Sequence, residues 1–187
     1  MQITPAEAER LYASLSPDQR AEVDRLIAED MRSVIWRPQI GRQTEAATSE
    51  ADITGYGGSA GGGKTDLIAG LTLTAHQRSV IFRREKAQTE GIVQRMTELL
   101  GSTEGYNSQK SIWRTSTANI PRLIEFGGLD NPDDHLRWQG RPHDLKAYDE
   151  VTEMREHQVR FTMGWNRTSD PKQRTRVIMT FNPPTTA

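Results

Sequence analysis

Cysteine is absent from the 187 residues, which excludes disulfides and every thiolate metal site. Aromatic residues make up only 6% of the chain, and no apolar run approaches the length that spans a bilayer. The N-terminus, MQITPAEAER, has neither the basic nor the apolar region of a secretory signal. A cytoplasmic protein with no membrane association is the expectation. Net charge is nearly absent too: Lys and Arg number 24 against 25 Asp and Glu, so the formal charge is −1. A globally basic nucleic-acid binder is thereby excluded, although a local basic face is not. Arginine outnumbers lysine, and its pairs Arg83-Arg84 and Arg174-Arg176 read as solvated faces. The four histidines are scattered and form no ligand pattern.

Glycine, by contrast, is concentrated in one place. GYGGSAGGG, residues 55–63, holds six glycines in nine residues and is followed by Lys64 and Thr65. Glycine loses more conformational freedom on folding than any other residue, so such a run needs a cause. A flexible linker would be flanked by polar sequence. Here DITGY before it has strand composition, and Leu67, Ile68, Leu71 and Leu73 after it are spaced for a helix. The run is therefore a strand-to-helix turn. Within it Gly58, Ser59, Ala60, Gly61, Gly62, Gly63, Lys64 and Thr65 fit G-x-x-x-x-G-K-[ST], a phosphate-binding loop. Glycines let successive N–H groups point inward, and the helix N-terminus adds partial positive charge. Lys64 is expected at the β- and γ-phosphates, with the Thr65 hydroxyl on Mg²⁺.

The chain is long enough for one domain with a small appendage. Thr4-Pro5 and Ser16-Pro17 each read as an N-cap followed by proline, with Gln19 completing a capping box after Ser16. Two helices are expected to open the chain, the second packing through Val23, Leu26, Ile27 and Met31. Residues 36–50 read as polar and turn-rich, leading into a first strand at about 52–56. RSVIFRR (78–84) reads as a second strand, followed by a helix that stops at Gly101. Such a βαβα start marks a parallel sheet covered by helices. SIWRTS (111–116) and RLIEFGG (122–128) suggest a hairpin-like insertion, and residues 128–144 a loop. LKAYDE (145–150) reads as a short strand interrupted by Lys146, residues 151–165 as a helix, and TRVIMTFN (175–182) as the last strand.

Hydrolysis of a nucleotide needs a metal holder and a group that orients water. Asp149 at a strand end is suited to Mg²⁺, and Glu150 beside it to polarising the attacking water. Thr180 and Asn182 stand two apart at the end of the last strand, so both face one side of the sheet. Ligands of open α/β sheets bind beyond such carboxyl ends, where a polar pair can sense the γ-phosphate.

In order and spacing these segments resemble the ATPase domain of the tailed-bacteriophage large terminase subunit. Residues 37–67 resemble its adenine-binding segment and Walker A loop, and SVIFRRE its second strand. LKAYDEVTEM resembles its Walker B motif with the catalytic glutamate, and FTMGWNRTSDPKQRTRVIMTFNPP its coupling motif. The resemblance runs from about Trp36 to Pro184. It implies a three-layer α/β P-loop NTPase of the ASCE/RecA-like type with a parallel sheet, C-terminally truncated, with residues 1–35 as an N-terminal helical extension and 36–187 as the ATPase core. It implies ATP and Mg²⁺ as ligands, and Gln39 or Gln43 on the adenine edge, with Gln43 preferred for its position closer to the loop. Thr180 and Asn182 become the coupling motif, and Arg141 or Arg167 an arginine finger. Implied partners are double-stranded DNA, a portal protein, a small terminase subunit and other copies in a ring, in the cytoplasm of a bacterial host. Large terminases also carry a nuclease domain after the ATPase; this chain stops beyond Asn182 and is expected not to cut DNA. Other readings are a helicase-like or other P-loop translocase, or a prophage remnant that binds nucleotide without turnover. An N-K-x-D guanine motif is absent, which disfavours a GTPase.

Overall fold

A computed structural model describes residues 4–59 and 61–182, with nothing described of the side chains at positions 5 and 28–33. The Met31 side chain and the whole of Ala60, both singled out in the sequence, are thus not described. Two compact units are present, divided between Val34 and Ile35.

The first unit is a pair of helices, α1 (Pro5–Ser14) and α2 (Pro17–Ser33). Both open on reciprocal capping boxes, Thr4 with Glu7 and the expected Ser16 with Gln19. Tyr12 on α1 donates to Asp24 on α2 at 2.7 Å. Of the apolar side expected on α2, Val23 is partly buried, whereas Leu26 and Ile27 are each 51% exposed.

The second unit is built on a seven-stranded sheet. Its strands are β1 (Ile53–Gly57), β2 (Arg78–Arg83), β3 (Tyr106–Asn107), β4 (Ile112–Thr117), β5 (Ile120–Gly128), β6 (Leu145–Tyr148) and β7 (Arg176–Phe181), in spatial order β1-β7-β6-β2-β5-β4-β3. The first five in that order are mutually parallel, and β4 and β3 continue antiparallel. β4 and β5 form the expected hairpin, but residues 123–128 of β5 also pair with β2, so the hairpin is not an insertion but an extension of the main sheet. Periodicity alone does not reveal that these six residues join the edge of β2.

Helices cover both faces. α4 (Lys64–Thr74) and α5 (Glu90–Leu100) enclose one core of Leu67, Ile68, Ile81, Ile92, Trp113 and their neighbours. α6 (Glu156–Met163) covers the other, around Val80, Phe82, Trp138, Tyr148 and Val177. Alternation along β2 places Ile81 in the first core and Val80 and Phe82 in the second. α5 ends at Gly101, in the left-handed conformation, as the sequence suggests.

Three local expectations are corrected. Residues 36–50 contain a helix, α3 (Arg42–Thr48), whose last carbonyls are taken by the buried Arg176: its guanidinium donates to Ala46 and Ala47. The helix expected over 151–165 is a 3₁₀ turn (Val151–Glu153) followed by the shorter α6, because Met154 and Arg155 between them are extended. The loop 128–144 contains a 3₁₀ turn (Asp134–Trp138) that buries Trp138. β6 is buried at all four positions despite Lys146, whose ammonium meets His143 Nδ1 at 3.0 Å.

Candidate nucleotide site

Parallel strands deliver their carboxyl ends to one edge of the sheet, and the order of strands decides what meets there. β7 lies between β1, which leads into the glycine loop, and β6, which ends at Asp149. The end of β7 is therefore wedged between the loop and the acidic pair.

The loop is shaped by close approaches. Gly57 pairs with Phe181 on β7, and a Cβ there would stand 2.6 Å from the Phe181 ring. Gly63 caps α4 with φ of 72°, in the left-handed region, and a Cβ would lie 2.6 Å from Gln43 Nε2. Tyr56 on β1 props the loop from below, its hydroxyl donating to the Gly62 carbonyl at 2.9 Å.

Lys64 Nζ donates to the carbonyls of Gly58 at 2.8 Å and Ser59 at 3.1 Å, and to Asn182 Oδ1 at 2.7 Å. Glu150 Oε1 stands 3.9 Å from the same ammonium. Asn182 in turn donates its amide to both Glu150 oxygens at 3.0 Å, and its backbone N–H to Oε2 at 3.2 Å. Thr180 treats the neighbouring acid in the same way: its hydroxyl donates to Asp149 Oδ1 at 2.5 Å and accepts the Glu150 N–H at 3.3 Å. Each residue of the strand-end pair thus holds one acid of the Asp-Glu pair. Glu150 itself sits at φ 55°, ψ 54°, a conformation costing a non-glycine residue about 1–2 kcal/mol. Such strain persists where surrounding contacts over-determine it, and it clusters at functional sites.

A cavity of about 400 Å³ opens on this edge, lined by residues 61–66, Arg95, Glu150 and Asn182. Its size is that of a small-ligand pocket. Thr65 lines it, and Asp149, 2% exposed, lies behind Glu150 at the end of β6. No cluster of three or more His, Cys, Asp or Glu residues suited to a metal exists among the described residues.

Gln43 is buried beneath the loop, where its amide donates to the Gly63 carbonyl at 2.9 Å and to Asp66 at 3.2 Å, while its oxygen accepts the Gln39 N–H. Its hydrogen-bonding groups are committed to the protein, whereas the Gln39 side chain is exposed. Arg141 and Arg167 do not reach the cavity. Arg141 donates to Glu125 and lies over the Trp138 ring at 4.7 Å. Arg167 lies over Trp165, and its N–H bonds the His143 carbonyl before the amino end of β6, opposite the site.

Sequence reasoning passes over several contributors. Arg83, at the end of β2, places Nε 2.9 Å from Asp149 Oδ2, where the sequence suggests only a solvated arginine. Asp66 accepts from Trp36 Nε1 at 2.9 Å as well as from Gln43, tying the segment before β1 to the first turn of α4. Arg95 reaches Asp66 from α5. Their only sequence signal is adjacency to a motif for Asp66 and a strand end for Arg83; Arg95 has none.

No protein-family model and no curated protein matches the chain. Solved structures do match in fold. The large terminase of a thermophilic bacteriophage aligns with a TM-score of 0.62 over 79% of this chain and 40% of that one, at 16% identity. The same phage protein in complex with ATP-gamma-S gives 0.53 over 82% of this chain and 37% of that one, at 15% identity. With ADP it gives 0.50 over 80% and 36%, at 14% identity. The chain spans about 40% of the length of the large terminase it resembles. The mixed α/β, mostly parallel fold is the one this chain shares with those large terminases.

Proposed function

We propose that this chain binds ATP with Mg²⁺ at residues 58–65 and hydrolyses it, as the ATPase part of a viral DNA-packaging terminase large subunit. The observation that carries the reading is the position of Asn182, which touches Lys64 and Glu150 at once. A γ-phosphate drawing Lys64 into its own coordination would be felt by Glu150 through that one side chain.

In this reading the loop N–H groups and Lys64 hold the phosphates, and Thr65 and Asp149 hold Mg²⁺ with Thr180 orienting the carboxylate. Bound Mg²⁺ neutralises charge on the β- and γ-oxygens. Glu150 accepts the hydrogen bond of the attacking water and aligns it with the γ-phosphorus. Arg83 balances the Asp149 charge from β2. Gln39 has the exposed amide for the adenine edge, with Gln43 as the support that positions the loop.

The large terminase of the thermophilic phage was solved with ATP-gamma-S and with ADP, which favours a nucleotide here. By the same likeness the partners are double-stranded DNA, a portal protein, a small terminase subunit and further copies in a ring, in the host cytoplasm. Among the described residues no helix is long and apolar enough to cross a membrane. Arg141 and Arg167, remote from their own cavity, remain candidates for a finger offered to a neighbouring copy.

Isothermal titration with ATP and Mg²⁺ tests the reading. Wild-type protein binds, and Lys64→Ala does not. Unchanged affinity in that variant refutes the assignment of the loop.

A further inference from the structure

Arg95 lines the same cavity as Lys64, Glu150 and Asn182, yet it belongs to a different element and a different set of partners. Its Nε and Nη2 approach Asp66 Oδ1 at 2.8 and 2.7 Å, and its Nη1 donates to Glu98 at 2.9 Å. Asp66 is itself fixed through its other oxygen by Trp36 and Gln43. The guanidinium is thus pre-positioned, while its side chain stays 38% exposed toward the opening.

Two cations therefore face one cavity. Lys64 is engaged by the loop carbonyls and Asn182, on the side where Glu150 stands. Arg95 touches none of Lys64, Glu150 or Asn182; its partner Asp66 lies two residues beyond Lys64, along α4. A cation held apart from Glu150, the residue assigned to the attacking water, is free to serve phosphates other than the one being cleaved.

We infer that Arg95 is a nucleotide-binding residue that contacts the phosphate chain in the part common to ATP and ADP. The inference rests on the nucleotide reading above. Guanidinium is matched to phosphate by its planar fork of donors and permanent charge. Asp66 acts as its positioning residue: it holds the fork in place so that less rotational freedom is lost on binding. Because the contact is made equally before and after cleavage, it contributes uniform binding and leaves the chemical step unaffected.

Titration of Arg95→Ala with ATP, with ADP and with inorganic tripolyphosphate, each with Mg²⁺, tests this. Affinity for all three is expected to fall by about tenfold or more, the usual effect of removing a charge-assisted bond. Arg95→Lys recovers part of the loss, and Glu98→Gln, which leaves the charge in place, changes affinity little. Three results overturn the inference: undiminished binding by Arg95→Ala, an equal loss in Glu98→Gln, which shows that the order of α5 and not the guanidinium carries the effect, or a loss for ATP and ADP but not for tripolyphosphate. Thermal melts of each variant identify any that fail to fold; Arg95→Gln, which keeps the bulk, then takes the place of Arg95→Ala. Failure of the wider reading looks different, since wild-type protein and Lys64→Ala would then be alike in binding no nucleotide, and this inference falls with it.

Discussion

The Asn182 carboxamide donates to both oxygens of Glu150 at 3.0 Å while its own oxygen accepts from Lys64 at 2.7 Å. One side chain thus orders the acid assigned to water and the cation assigned to phosphate. Asn182→Ala removes these bonds without touching the loop N–H groups. Turnover is expected to fall on the order of 10²-fold, the effect of a displacement of about 1 Å at a reacting group. The dissociation constant for ATP is expected to change far less. Steady-state kinetics beside equilibrium titration separates the two, and a parallel loss of binding contradicts this role.

Glu150→Gln keeps the size of the side chain and removes the charge that polarises water. Hydrolysis should fall by about 10²- to 10⁴-fold, the range for a lost general base, with nucleotide binding retained. Phosphate release under single-turnover conditions measures the chemical step directly. If binding and turnover decline together, Glu150 serves the fold rather than the reaction.

Gly63→Ala meets two obstacles, a φ of 72° and a Cβ 2.6 Å from Gln43 Nε2. The dihedral alone costs about 1–2 kcal/mol. Chemical denaturation should show a loss of at least that size, together with weakened ATP binding. Adding Gln43→Ala relieves the contact but not the dihedral, so the double variant should recover stability only in part. Full recovery would show that the backbone tolerates this position.

Lys146 gives the chain a pH dependence that the site does not require. It is fully buried on β6, and burial pushes its ammonium from 10.5 down to about 7. Around it stand His143, which burial also lowers, Glu125, and the Arg141 and Arg78 guanidinium groups. Glu125 accepts only, so His143 presents Nε2–H to it at 2.7 Å and leaves Nδ1 to accept from Lys146. Between pH 7 and 10.5 the unfolded chain holds a proton on Lys146 that the folded chain has released. Stability contributed by this group therefore rises with pH across that window. Relative to Lys146→Met, the wild type should gain up to about 1.4 kcal/mol per pH unit from about pH 7.5 to 9.5. Denaturation of both proteins across the window checks this, and a difference independent of pH rejects it.

The chemical groups of the site were legible in the sequence. Gly58, Lys64, Thr65, Asp149, Glu150, Thr180 and Asn182 are each recognisable locally, because a phosphate loop and a strand-end acid pair need particular residue types at particular spacing. The parallel sheet followed from the same evidence, since a strand–loop–helix–strand succession has few other solutions. Strand order was not legible. That β7 lies between β1 and β6, bringing Asn182 to both Lys64 and Glu150, is set by pairing between segments far apart in the chain. Periodicity reports which face a residue takes, never which strand it joins. For the same reason the sequence alone makes β5 part of an insertion and hides α3.

Sequence by itself thus determined the loop, the acid pair and the polar strand end, because each is written in residues close together in the chain. Tertiary structure alone decided which groups support them: Arg83 against Asp149, Asp66 between Trp36 and Arg95, and Arg176 on the end of α3. A charged side chain carries no local mark of its partner. Whether it stands in solvent or at a site depends on the desolvation and geometry that distant segments impose when they pack.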